Sequence, residues 1–197
     1  MSLNCLLPPR LVPGALLCVI SPSGGLQPSE QFDQGLAVWR SRGYKLHLCE
    51  GYDARWGYLA GRDAHRRQQL RAALNHLDCK AVLCSRGGYG GTRLLEDWVW
   101  PVVSETAPPK WLIGFSDITS LLWSQAKHGV SGVHGPVLTT LAGEPSWSQN
   151  RLFDWVEKHK IAPMRGKGWS TVGCGGATTG VLLPGNLCVA THLLGTD

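Results

Sequence analysis

Residues 111–123 read WLIGFSDITSLLW, and they decide how the rest of the chain is read. The apolar run Trp111-Leu112-Ile113 has the composition of a buried strand and stops at Gly114-Phe115-Ser116-Asp117. A second apolar stretch, over 117–128, then recurs at helical spacing. A strand that runs through a tight turn into a helix is one half of a β-α unit. If the unit repeats, the sheet is parallel.

Working outward, it does repeat. Residues 15–20 are a continuous apolar run that ends in the Ser/Pro/Gly loop 21–25. Ser29 is a plausible cap for a helix in which Phe32, Leu36 and Trp39 share a face and Gly43 is the stop. Residues 44–49 alternate like a strand, and a Gly-bounded loop spans 51–61. The pattern predicts a helix over 63–77 with Leu70, Ala73, Leu74 and Leu77 on one face. Residues 80–84 are another buried strand, 85–91 read SRGGYGG, and TRLLEDW (92–98) reads as a short helix. The order is β-α-β-α-β-α-β-α. The predicted fold is therefore an α/β domain, a mostly parallel sheet with helices on both faces. Ligands in such sheets bind beyond the carboxyl ends of the strands. The loops 21–25, 85–91 and 114–117 all fall there. After residue 160 the text turns Gly-rich with short β-like pieces. The expected division is an α/β domain over 1–160 and, over 161–197, a crossing into the start of a second domain.

At 197 residues, 43% hydrophobic and 17% charged, the chain has the means to bury a core. The net charge of +5 is spread out. Its densest cluster, Arg62, Arg66, Arg67 and Arg71 with Asp63 among them, reads as a solvated helix face rather than a nucleic-acid surface. The seven cysteines are odd in number and include no C-x-x-C, and several sit in apolar runs. They read as free thiols in a reducing compartment. No signal segment and no membrane-length apolar run occurs, so the expected location is the cytoplasm.

Ser116 is the first candidate for chemistry. A serine at a strand-to-helix turn holds its hydroxyl above the sheet, with the following backbone N–H groups aimed at the same space. The competing reading is a helix N-cap, for which serine and aspartate are both suited. The glycines of RGGYGG (86–91) let backbone approach a ligand and present donors, as an oxyanion hole or anion cradle would. The competing reading is a flexible turn. His134, in GVHGP, either lines the same site or is a structural imidazole. His192 reads as a helix residue, packed or half exposed, and Trp56 as a loop residue placed to touch substrate. Cys84 ends a strand, but no elbow glycines flank it, which leaves a cysteine-nucleophile reading weak. No His or Cys spacing suggests a metal, and no cofactor is expected.

Taken together, AVLCSRGGYGGTRLL (81–95), PKWLIGFSDITSLLW (109–123), GVHGPV (132–137) and LPGNLCVATHLLGT (183–196) resemble the LD-carboxypeptidase family of serine peptidases. That family includes murein tetrapeptide carboxypeptidases and microcin-immunity peptidases. The resemblance implies a Rossmann-like, amidotransferase-like amino-terminal domain and a Ser-His-Glu triad. Ser116 matches the nucleophile, and Asp117 with Gly87 or Gly88 matches the oxyanion hole. Arg86 is a candidate for the substrate's carboxylate, against the alternative of a structural salt bridge. The resemblance puts the triad's Glu and His beyond residue 197, so the expectation is a C-terminally truncated chain, inactive alone. Phe115 stands where the family more often has Tyr, and Pro184 where Gly is usual.

The implied reaction removes the terminal D-alanine of murein tetrapeptide during peptidoglycan recycling, through an acyl-enzyme on Ser116. Two other readings stay open. One is a peptidase that cleaves peptide–nucleotide conjugates, and the other is a non-catalytic module that binds muropeptide. The segment from 166 onward is expected to expose an apolar patch around Leu182, Leu183, Leu193 and Leu194, which a homodimer is one way to cover.

Overall fold

A computed structural model describes residues 5–27, 29–163 and 179–196. Most of the Gly-rich crossing, with Cys174, lies outside the described residues. Five strands form one parallel sheet: β1 (Leu16–Ile20), β2 (Lys45–Leu48), β3 (Cys79–Cys84), β4 (Trp111–Gly114) and β5 (Val133–His134). Their order is β2-β1-β3-β4-β5, and every pairing is parallel. The helices are α1 (Glu30–Ser41), α2 (Asp63–Asn75), α3 (Thr119–Lys127), α4 (Leu138–Leu141), α5 (Ser146–Lys158) and α6 (Leu187–Leu193).

Strand alternation sorts the core into two layers. Leu17 and Val19, Ala81 and Leu83, Trp111 and Ile113 face α1, α4 and α5, which supply Phe32, Leu36, Trp39, Leu138, Leu152, Phe153 and Val156. Cys18 and Ile20, Val82 and Cys84, and Leu112 face the other way, onto Leu70, Ala73 and Leu74 of α2 and Leu121 and Leu122 of α3. Both faces of the central strands are therefore dry, and this is why those strands read as unbroken apolar runs. The Ser29 side chain caps α1 by accepting from the Phe32 N–H.

The strand order reverses between β1 and β3. The loops after these two strands stay joined there by the Gly24 N–H to the Gly87 carbonyl, and they flank a crevice beyond the strand ends. β4, with the Ser116 turn at its end, lies next to β3. The α1–α4 crossing walls the crevice on one side. It is so close that a Cβ on Gly35 would run into the Leu138 carbonyl oxygen.

Three expectations need correction. Leu77 is 85% exposed rather than on the buried face, because α2 ends at Asn75 and His76 turns extended. Within TRLLEDW only Thr92–Leu95 winds, as a single 3-10 turn. The arginine cluster is not a uniformly solvated face. Arg66 is completely buried, and Arg67 spends its guanidinium on the Leu94 and Arg93 carbonyls.

Residues 181–194 lean on α3. The Trp123 indole N–H donates to the Pro184 carbonyl at 3.0 Å, and the Asn186 N–H donates to Thr119 Oγ1 at 2.9 Å. No α6 side chain is buried, and Leu182, Leu183, Leu187 and Leu194 are exposed. The expected apolar patch is present at Leu182, Leu183 and Leu194, while Leu193 is partly covered. No helix among the described residues is long and apolar enough to cross a membrane.

Candidate active site

The turn after β4 is strained where the sequence places its serine. Phe115 is extended, at φ −145° and ψ −173°, and Ser116 then adopts φ 62°. A left-handed backbone costs a non-glycine residue about 1–2 kcal/mol. Such outliers gather where a side chain has to be aimed. The turn continues as a 3-10 turn, Ser116–Ile118, into α3. Its N-cap position is Phe115, with no side-chain cap, and Ser116 Oγ has no hydrogen-bond partner among the described residues. The hydroxyl is not used as a helix cap. The geometry is that of a nucleophile elbow without the second glycine.

Gly87 stands directly against this serine. A Cβ on Gly87 would come 3.0 Å from Ser116 Cβ and 3.3 Å from Ser116 Oγ. Gly88 has φ +128°, a conformation that side chains rarely adopt, and it packs on Gly24. The Gly24 N–H donates to the Gly87 carbonyl at 3.2 Å, which joins the loop after β1 to the loop after β3. The Gly87 and Gly88 N–H groups have no acceptor among the described residues. Asp117 lies second in the 3-10 turn, where backbone N–H groups have no carbonyl behind them.

A cleft of about 530 Å³ opens beside Ser116. Its walls include Arg86, Gly87 and Gly88 from one loop, Phe115 and Ser116 from another, and Gln31, Thr139 and Thr140 from the α1–α4 pair. Arg86 is the only charged side chain among these lining residues, and no histidine or carboxylate is among them. Arg86 makes no ion pair among the described residues. It donates instead to the Gly87 and Gly25 carbonyls, at 3.3 and 3.2 Å.

The other sequence candidates fall elsewhere. His134 sits at the end of β5, opposite Gly114, and does not line the Ser116 cleft. It lines a smaller pocket with Trp123, Leu182 and Pro184. Its Nε2 is buried without a partner among the described residues, and burial lowers its pKa. His192 is exposed on α6, with Nδ1 2.6 Å from the Cys188 carbonyl. Trp56 lies under the Arg62 guanidinium, 5.1 Å from its ring centroid, and away from the cleft. Burial, with the Asp117 charge adding to it, pushes the Cys84 thiol well above its usual range. Cys84 therefore offers no thiolate nucleophile. No group of three or more metal-ligating side chains suited to an ion occurs among the described residues.

Thr139 and Thr140, which come from a four-residue helix, carry no local signal, and neither does the side chain of Ser23, whose hydroxyl is buried against Asp117.

The profile of the LD-carboxypeptidase N-terminal domain matches residues 17–135, which span β1 through β5 and the Ser116 turn. The chain belongs to the LD-carboxypeptidase family. It is 49% identical to a Synechocystis protein named as a carboxypeptidase, over 98% of this chain and 62% of that one. It is 32% identical to the murein tetrapeptide carboxypeptidase of Pseudomonas aeruginosa, over 91% of this chain and 60% of the relative. The chain thus spans about three fifths of the length of these relatives. In fold it is similar to the microcin self-immunity protein MccF, solved in complex with aspartyl sulfamoyl adenosine. The TM-score is 0.68, with 23% identity, over 78% of this chain and 47% of that one. The parallel five-stranded sheet with flanking helices is the fold of this LD-carboxypeptidase domain.

Proposed function

We propose that the protein is a serine carboxypeptidase which hydrolyses the L,D-peptide bond to the terminal D-alanine of murein tetrapeptide, in the cytoplasmic recycling of peptidoglycan. The observation that carries this reading is the left-handed Ser116, uncapped and set against Gly87, in a chain of this family. Ser116 Oγ attacks the scissile carbonyl. The Asp117 N–H and a Gly87 or Gly88 N–H receive the developing oxyanion. D-alanine leaves with a proton, and water then hydrolyses the acyl-Ser116 ester. Arg86 faces the free carboxylate of the terminal residue, the part of the substrate that distinguishes a carboxypeptidase from an endopeptidase.

A serine hydroxyl needs a base within about 3 Å to react at neutral pH. The cleft lining holds no imidazole or carboxylate, so we assign the base to the part of the relatives' length that this chain does not span. The chain alone is then expected to be inactive. Mass spectrometry after rapid quenching tests the nucleophile. At the full length of its relatives, the protein mixed with tetrapeptide should carry a tripeptidyl adduct on the peptide that contains Ser116. An adduct on any other residue contradicts the assignment.

The likeness to MccF supports a second reading, cleavage of a peptide–nucleotide conjugate at the same serine. Relative turnover of tetrapeptide and an aminoacyl-adenylate analogue separates the two.

A further inference from the structure

Asp117 does more in this structure than carry a backbone N–H. Its carboxylate is buried at 4% exposure, and one of its oxygens, Oδ2, accepts two hydrogen bonds. The Ser23 hydroxyl donates from the loop after β1 at 2.5 Å, and the Gly91 N–H donates from the loop after β3 at 2.7 Å. Among the described residues, these two bonds are what tie residues 115–117 to either loop. A buried carboxylate is held in place only by such donors, and hydrogen bonds to a charged acceptor are the stronger kind.

A second buried charge grips the same loops one residue earlier. The Arg66 guanidinium, from α2, donates to the Pro22 carbonyl and, at 2.9 Å, to the Gly90 carbonyl. Asp63 shares its carboxylate between Arg66 and Arg93 and holds that guanidinium in place. The paired glycines 90 and 91 are explained by this arrangement. A Cβ on Gly90 would come 2.9 Å from Arg66 Nη1, and one on Gly91 would come 2.9 Å from Asp117 Oδ2. Arg66 fixes the two loops to each other and to α2. Among the described residues, only the Asp117 carboxylate hydrogen-bonds them to the turn that carries the serine.

The geometry points to the Asp117 carboxylate as a positioning residue that sets where Gly87 stands relative to Ser116 Oγ. The reasoning rests on the proposed role of Ser116, because the catalytic consequence is the spacing of hydroxyl and oxyanion donors. Misplacement of such groups by about 1 Å costs on the order of 100-fold in rate.

The test uses Asp117→Ala, Asp117→Asn and Ser23→Ala. Asn can place an amide oxygen where Oδ2 lies and keep both donors, whereas Ala keeps neither. Amide hydrogen exchange on the chain is the first readout. Exchange at Gly91 should speed up more than about tenfold in Asp117→Ala and return close to wild type in Asp117→Asn. Turnover of tetrapeptide by the protein at its relatives' full length is the second. Asp117→Ala should lower kcat about 100-fold with KM within about threefold of wild type. Asp117→Asn should recover to within about tenfold, and Ser23→Ala should fall between the two. Unchanged Gly91 exchange in Asp117→Ala overturns the clamp. Accelerated exchange with unchanged kcat overturns the positioning role and leaves a structural one. If wild type does not turn over tetrapeptide, the proposed substrate fails, and the exchange readout still decides the clamp. If Asp117→Ala does not fold, Ser23→Ala decides alone, since it removes one of the two bonds and leaves the carboxylate in place.

Discussion

Helices α5 and α6 both present apolar side chains, and only one of them belongs to the core. α5 buries Leu152, Phe153 and Val156. Phe153 meets Trp39 edge-on at 5.0 Å between centroids and carries the Arg42 guanidinium 4.0 Å above its face. Arg42 and Tyr44 both bond Glu157, which locks the helix to α1 and the start of β2. No α6 side chain is fully buried, and Leu187 and Leu194 are 78% and 79% exposed. It is held to α3 by two polar contacts at its leading edge. The sheet and the helices up to α5 close their own core, whereas α6 only rests on α3, with its N-cap Asn186 on Thr119. The stability of the fold and the covering of the α6 face are therefore separate questions, and substitutions on the two helices should give effects of different size.

The largest effect is expected where α5 meets α1. Trp39→Ala removes a 1%-exposed ring that touches both Tyr44 and Phe153, and should cost about 3–5 kcal/mol in urea unfolding. A cost below about 1 kcal/mol would mean that α5 is no better packed than α6. Gly35→Ala should be of comparable severity, because α1 and α4 have no room for a Cβ. It would also spread the cleft wall that carries Gln31 and Thr140.

The Arg42–Glu157 lock should give a smaller, pH-dependent effect. Burial pushes the Glu157 carboxyl up, but its bonds to Arg42 and Tyr44 outweigh burial and leave it below the usual range. A carboxylate depressed in the folded state stabilises fully above its unfolded value of about 4.3. That contribution is lost as the pH falls through the folded value. Glu157→Gln should therefore cost about 1 kcal/mol at pH 7, since the pair is partly exposed, and the difference should begin to shrink once the pH falls below about 4.3. A gap that does not shrink at all between pH 7 and the acid limit of folding would contradict the ionic reading. The smallest effect belongs to α6. Leu187→Ser should change stability by less than about 0.5 kcal/mol and reduce binding of a hydrophobic dye. A loss above about 1 kcal/mol would show that α6 is part of the core after all.

What was legible in the sequence follows from period and burial. The central strands β1, β3 and β4 are dry on both faces, and their apolar runs announced them. The tight turn at Gly114–Asp117 stood out because it interrupts one period and starts another. Arg66 was within reach. It lies four residues before Leu70 and seven before Ala73, on the buried stripe, but the neighbouring arginines drew it into a solvated reading. His134 could not be assigned a face, because a two-residue strand has no alternation to read. Thr139 and Thr140 reach the cleft through the α1–α4 crossing, a contact between segments about a hundred residues apart that no local pattern encodes. The carboxylate of Asp117 was hidden behind the role of its backbone. Its partners, Ser23 and Gly91, come from two other loops.

We propose that Ser116 is the nucleophile of a carboxypeptidase and that its base lies in the part of its relatives' length that this chain does not span. The direct measurement is release of D-alanine from L-Ala-γ-D-Glu-meso-diaminopimelyl-D-Ala by three proteins: this chain, the protein at its relatives' full length, and that longer form with Ser116→Ala. Release should come from the longer form only, with the serine substitution lowering it at least about 1,000-fold. Release that survives Ser116→Ala, or no release by the longer form, would contradict it.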